Sequence, residues 1–245
     1  MKATSFDRLA STCAYLAAVG GILYGFSFVV LYVGGTSPVA GLALSSIFLL
    51  LGGLLASVVL VAIYQRVHEA NHPLAQWALI VGLFGALGST VHAGYDLANV
   101  IHSPLPDVLT ASGYPNPVDP RGLLTFGFAG VSLFVFAWLI GQSSSLPRNL
   151  ATLGYVLATL LVVIFLGRLI ILDPTNNIVR LALLAGVVAN TVWYIRLGGA
   201  FAGQAAPAVA QPTTASRKAA PAPRKRAAAA KRGARASQAR ARRRR

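Results

Sequence analysis

Two groups of residues carry chemistry by their type and spacing. The first is His68-Glu69-Ala70-Asn71-His72, an H-E-x-x-H pattern. On one continuous helix this spacing puts both imidazoles on the same face. There they bind zinc while the Glu polarises a bound water, as in the zinc peptidases. Carried over, His68 and His72 are the metal ligands and Glu69 the base. Pro73 follows directly and disfavours helical geometry at His72. No third ligand is evident in the neighbouring connections, where the one other acid is Asp7. The expectation is a polar turn without metal or cofactor, and the alternative is a membrane zinc metallopeptidase.

The second group lies in Gly85 to Ser103, G-A-L-G-S-T-V-H-A-G-Y-D-L-A-N-V-I-H-S. At 100° per residue, Gly85, Gly88, His92, Tyr95, Asp96, Asn99 and Ser103 fall within an arc of roughly 100° on a helix. The rest of the circumference is Leu, Val, Ala, Phe and Ile. An unpaired ionisable group in hydrocarbon is costly, so a helix in lipid must turn this stripe toward protein or water. The two glycines would let a neighbouring backbone approach closely. Asp96 stands roughly 7.5 Å from the end of its apolar run, and Arg168 roughly 6 Å from the end of another, at 1.5 Å per residue. Opposite charges at one depth would lower each other's burial cost. His92, Tyr95, Asp96, Asn99 and Arg168 thus form either a structural ion-pair cluster or a site for a small ligand or ion. Both readings stay open. No G-x-S-x-G, P-loop or dinucleotide fingerprint occurs, and the four histidines offer no axial pair for haem. A non-enzymatic role is expected.

The elements that must position these residues are apolar. Of 245 residues 56% are hydrophobic and 11% charged, where a soluble domain has about a quarter charged. Six runs reach the roughly 20 residues that cross a bilayer: Leu9–Val33, Val39–Tyr64, Leu74–Ile101, Gly122–Ile140, Leu150–Leu172 and Asn177–Leu197. The first is too long for a signal-peptide core and is read as retained. Turn-forming clusters separate the runs, and the one long connection, His102–Arg121, carries five prolines. Gly21-x-x-x-Gly25 fits a close helix crossing. Trp77, Trp138, Trp193, Tyr64 and Tyr194 fall near the ends that an interfacial aromatic belt would occupy.

Lys2, Arg8, Arg66, Arg148 and Arg196 all fall toward one side of such a bundle. Positive residues stay cytoplasmic, so both termini are expected inside, as six spans require. The pI near 11 belongs to the end of the chain. Residues 217–245 hold 13 of the 21 Lys and Arg residues, among them Arg224, Lys225, Arg226, Lys231, Arg232, Arg242, Arg243, Arg244 and Arg245, and no acid. Such a segment cannot bury a core and is expected to be disordered. Its expected partners are anionic lipid or nucleic acid, or it merely fixes topology. Cys13 is the one cysteine, so no intrachain disulfide can form.

The fold class expected is all-α: a polytopic bundle of six transmembrane helices over residues 1–200, followed by a disordered Ala/Pro/Lys/Arg-rich cytoplasmic tail over 201–245. The span count, Leu146-Pro147-Arg148-Asn149-Leu150 and the G-R-L-I-I-L-D-P run at 167–174 resemble a family of six-helix bacterial integral membrane proteins of unknown function, over about residues 8–198. That resemblance implies a bacterial cell membrane and carries no activity. The expected role is a carrier, sensor or accessory subunit that binds a small ligand or ion at an outward-facing polar cluster. The alternative is a membrane tether whose tail does the work.

The tail reading has a direct test. The full-length protein should bind anionic liposomes and duplex DNA with affinity that falls steeply with salt, because each neutralised phosphate adds to the slope. Scrambling residues 217–245 at constant composition should leave binding unchanged in a co-sedimentation assay, and a loss would mean that the tail folds on its partner.

Overall fold

The structure, a computed structural model, describes residues 4–102, 123–170 and 177–203, without the side chains of 123, 124, 168, 169, 179 and 180. The first helix, α1 (Ser5–Gly25), begins where local chemistry starts it. Thr4 Oγ1 accepts from the Asp7 N–H at 3.1 Å, and the Asp7 carboxylate accepts from the Thr4 N–H at 2.8 Å. This reciprocal capping box satisfies two N–H groups that a helix start leaves over. The helix runs on as a π-helical segment, Phe26–Val33, along which Tyr24, Phe28 and Tyr32 stack at centroid separations of 5.7 and 5.6 Å. Gly35 then reverses the chain at φ 73°, a conformation open to glycine because it has no Cβ.

Five further α-helices and one more π-helical lead-in complete the described body. The second, α2 (Pro38–Val67), carries proline in its first turn, where the missing N–H costs nothing. The third, α3 (His72–Ile101), is capped by Asn71, whose side chain accepts from the Leu74 N–H at 3.2 Å. A π-helical stretch, Leu123–Phe128, leads into α4 (Ala129–Gln142). Then come α5 (Arg148–Ile170) and α6 (Asn177–Gly203). Six helices are long and apolar enough to cross a membrane, and no strand occurs among the described residues. The last helix runs past the expected end at Leu197 to Gly203, so the expected boundary at residue 200 falls inside its final turn. The chain divides into Met1–Ala206 and Pro207–Arg245, and the second unit, with the basic tail, lies outside the described residues.

Each helix packs on its neighbour in sequence, and α6 packs back on α1, so the six form a closed ring. Closure depends on small residues. A Cβ on Gly25 would lie 2.7 Å from Val187 of α6, and one on Gly21 would lie 2.9 Å from Asn190. The Gly21-x-x-x-Gly25 spacing therefore does mark a close crossing. One turn-pair nearer the termini, Ser11 donates to the Gly198 carbonyl at 2.9 Å. The start of α1 and the end of α6 therefore share one end of the bundle, here the terminal end. The outer faces are apolar: Leu16, Val19, Phe84, Val91, Leu181 and Val188 are among the exposed large side chains.

The packed core occupies the terminal half. Ile63, Val67, Phe136, Leu139, Ile140, Leu150, Leu197 and Phe201 are buried there together. Trp193 joins them, which corrects the interfacial-belt reading for that residue: it is 2% exposed, while Trp77 and Trp138 are 46% and 41% exposed. The indole lies against Gly154, where a Cβ would stand only 3.1 Å from the ring.

The terminal end is also tied by charge. The Arg66 guanidinium near the end of α2 donates to the Asp7 carboxylate at the start of α1, with side-chain exposures of 11% and 8%. Ser143, beyond α4, donates to the Arg66 carbonyl at 3.4 Å. Asp7 thus serves as both cap and counter-ion. Removing one partner leaves the other buried and uncompensated, so Asp7→Asn and Arg66→Gln should each destabilise the protein by about 3 kcal/mol. The double variant should lose little more than either alone. Denaturant titration in mixed micelles would read this, and additive losses would contradict the pairing.

Candidate functional site

The polar stripe of α3 turns partly inward. Gly85, Gly88 and His92 are buried, and Tyr95, Asp96 and Asn99 are half-buried. Gly85 lets α4 approach so closely that a Cβ there would lie 2.8 Å from the Ala129 nitrogen. His92 uses both ring nitrogens. Its Nε2 stands 3.2 Å from Asp96 Oδ2, one turn along the same helix, and its Nδ1 stands 3.2 Å from Thr125 Oγ1 across the interface with the segment that opens α4. The structure therefore brings together His92 and Asp96 of the expected cluster and adds Thr125. Ser103 and the Arg168 side chain lie outside the described residues. In the ring, α4 stands between α3 and α5. The sequence signal for Thr125 was slight, a lone hydroxyl in the apolar run Leu123-Leu124-Thr125-Phe126.

The H-E-x-x-H pattern is divided between two helices. His68 is the C-cap of α2, a turn follows, Asn71 caps α3, and His72 with Pro73 opens it. The proline stands in the first turn, where helices accept it. The imidazoles of His68 and His72 come to 6.0 Å between centroids, with Tyr64 packed on both at 5.4 and 6.1 Å. His68 Nδ1 lies 3.1 Å from the Gln65 carbonyl. The zinc-peptidase arrangement needs both histidines and the Glu on one helix, and this geometry does not supply it. Among the described residues no three His, Cys, Asp or Glu side chains cluster as metal ligands.

A feature that the sequence did not disclose lies at the centre of the ring. All six helices line a chamber of about 210 Å³. Its space comes from small residues that meet there: Gly20 and Gly21 of α1, Gly52 and Gly53 of α2, Gly82 and Gly85 of α3, and Gly186 of α6. The wall is otherwise mainly Leu, Ile, Val, Ala and Phe. Its serine hydroxyls are engaged. Ser132 donates to the Ala78 carbonyl at 2.7 Å, and Ser89 donates to the Gly85 carbonyl at 3.1 Å. Thr125 reaches His92, so this residue joins the polar cluster to the chamber. No carboxylate, imidazole, thiol or amine is among the described lining residues.

No protein-family model matches this chain, and no curated protein or solved structure is similar to it.

The contact between Thr125 and His92 can be tested without disturbing the packing. Thr125→Val keeps the shape and removes the hydroxyl, leaving a buried imidazole nitrogen short of a partner, at a cost of about 1–3 kcal/mol. Thr125→Ser should retain most of the stability. Equal stability of the Val and Ser variants in detergent unfolding would show that the hydroxyl is not engaged.

Proposed function

We propose that this is a multi-pass membrane protein that binds a small lipophilic molecule in the chamber between its helices, as a carrier or sensor. Both termini face the cytoplasm in this reading, as the Lys and Arg bias requires. The observation that carries the proposal is the chamber itself. Ligand sites are concave, mostly apolar and equipped with few polar groups, and engineered apolar cavities of roughly 150 Å³ already hold benzene. A chamber of about 210 Å³ accommodates a larger ring or a length of aliphatic chain. The wall favours binding over turnover, because its described residues include no general base or activated nucleophile. The His92–Asp96–Thr125 group then acts as a polar edge to the site. Its chemistry suits sensing or orienting a bound molecule.

Gly52 provides the test. It lines the chamber, and a Cβ built on it meets nothing within 4 Å, so a larger side chain there enters the chamber without displacing a helix. Protein purified in mild detergent and extracted with organic solvent should yield close to one small lipophile per chain by mass spectrometry. Gly52→Leu should fold normally by circular dichroism and lose that molecule. Identical extracts from the two proteins would overturn the proposal.

A further inference from the structure

The polar groups of α6 narrow the ligand's chemistry. Asn190, Trp193 and Tyr194 are spaced i, i+3 and i+4, so they share one face of the helix, and all three line the chamber. Unlike the hydroxyls of α3 and α4, none of the three side chains has a hydrogen-bond partner among the described residues. Among the described residues no fully buried side-chain nitrogen or oxygen is left without a partner, and the chamber is the space that these three residues all line.

Asn190 occupies the costliest position. It lies 13 residues from either end of α6, Asn177 and Gly203, roughly 20 Å along the helix in each direction. That is the middle of the helix, the deepest point of a spanning α6. A carboxamide left unpaired there costs several kcal/mol. The neighbouring wall is too apolar to serve: Asn190 packs beside Gly21 of α1, and Val187 precedes it by one turn.

We infer that the chamber binds a neutral lipophile bearing a carbonyl oxygen part-way along its apolar body, and that Asn190 donates the hydrogen bond that holds it. The inference rests on the ligand-binding reading above. The described wall carries no charged side chain and suits a neutral ligand, since an unpaired ion in such a site is strongly disfavoured. The donors require an acceptor: an amide contributes two N–H groups, and the indole of Trp193 can only donate. Depth excludes a phospholipid anchored by its head group, because its ester carbonyls stay near the interface, about 15 Å from the midplane. The ligand is therefore a free lipophile such as an alkylated aromatic ketone or quinone.

The test compares two probes of one shape. 2,3-Dimethyl-1,4-naphthoquinone has two carbonyls and no open position for attack by the Cys13 thiol; 2,3-dimethylnaphthalene has the same skeleton and no oxygen. In full-length protein carrying Trp77→Phe and Trp138→Phe, Trp193 is the remaining indole, and quinone binding should quench it saturably. The hydrocarbon should compete about tenfold more weakly. Asn190→Leu should weaken the quinone about tenfold and change the hydrocarbon less than twofold, and Asn190→Gln should restore part of the preference. Asn190→Ser, a smaller change, serves if the Leu variant fails to fold. Both probes binding with no preference, or losing affinity equally in the Asn190 variants, would overturn this inference and leave the chamber reading standing. No saturable binding of either probe would overturn both.

Discussion

The bundle depends on the close approach of its first and last helices. A chain of six antiparallel helices can lie in a membrane as an open row, because lipid is as apolar as the helix faces and gives no hydrophobic reason to close. Closure needs close van der Waals contact across the seam. Gly21 and Gly25 of α1 admit Asn190 and Val187 of α6, and Gly198 of α6 admits the Tyr15 ring, from which a Cβ there would lie 3.0 Å. Ser11 adds a hydrogen bond to a backbone carbonyl of α6. The ring, the interior it defines and the chamber within it all follow from that seam.

The two halves of the interior then differ for a simple reason of volume. Toward the terminal end the facing residues are large, Phe136, Leu139, Ile140, Leu150 and Phe201, and they fill the space between helices. Further along, glycines from four helices face the same region and cannot fill it. Where a glycine is matched by a close neighbour, as Gly53 is by the Ala86 carbonyl and Thr90, two backbones meet. Where it is not, as at Gly20 and Gly52, space remains. Packed end and open centre thus come from the same small residues in different company.

Polar groups are disposed with equal economy. Inside the ring, serine and threonine hydroxyls bond to backbone carbonyls of their own or a neighbouring helix, which removes the cost of carrying them in lipid. The charged pair Asp7–Arg66 sits at the terminal end, near water. His92 has partners at both nitrogens. Asn190, on the chamber wall and midway along α6, has no such partner among the described residues.

Much of this was legible in the sequence. Six apolar runs of spanning length determine six helices, because a backbone in hydrocarbon must satisfy its hydrogen bonds internally. The breaks between them were readable from turn-forming clusters and prolines, whose effects reach only a few residues. The 3.6-residue period put His92 and Asp96 on one face, and that pair is local to one helix. The partners across helices were not legible. Thr125, Arg66 against Asp7, and Gly154 under Trp193 depend on which helices adjoin and at what rotation, which the composition of a uniformly apolar helix does not encode. H-E-x-x-H shows the same limit in reverse: its spacing has meaning only on one helix, Pro73 pointed to a polar turn instead, and Asn71 starts a new helix there. The chamber was the least legible feature, because a void is defined by what six separate segments fail to fill, and only their tertiary arrangement decides that.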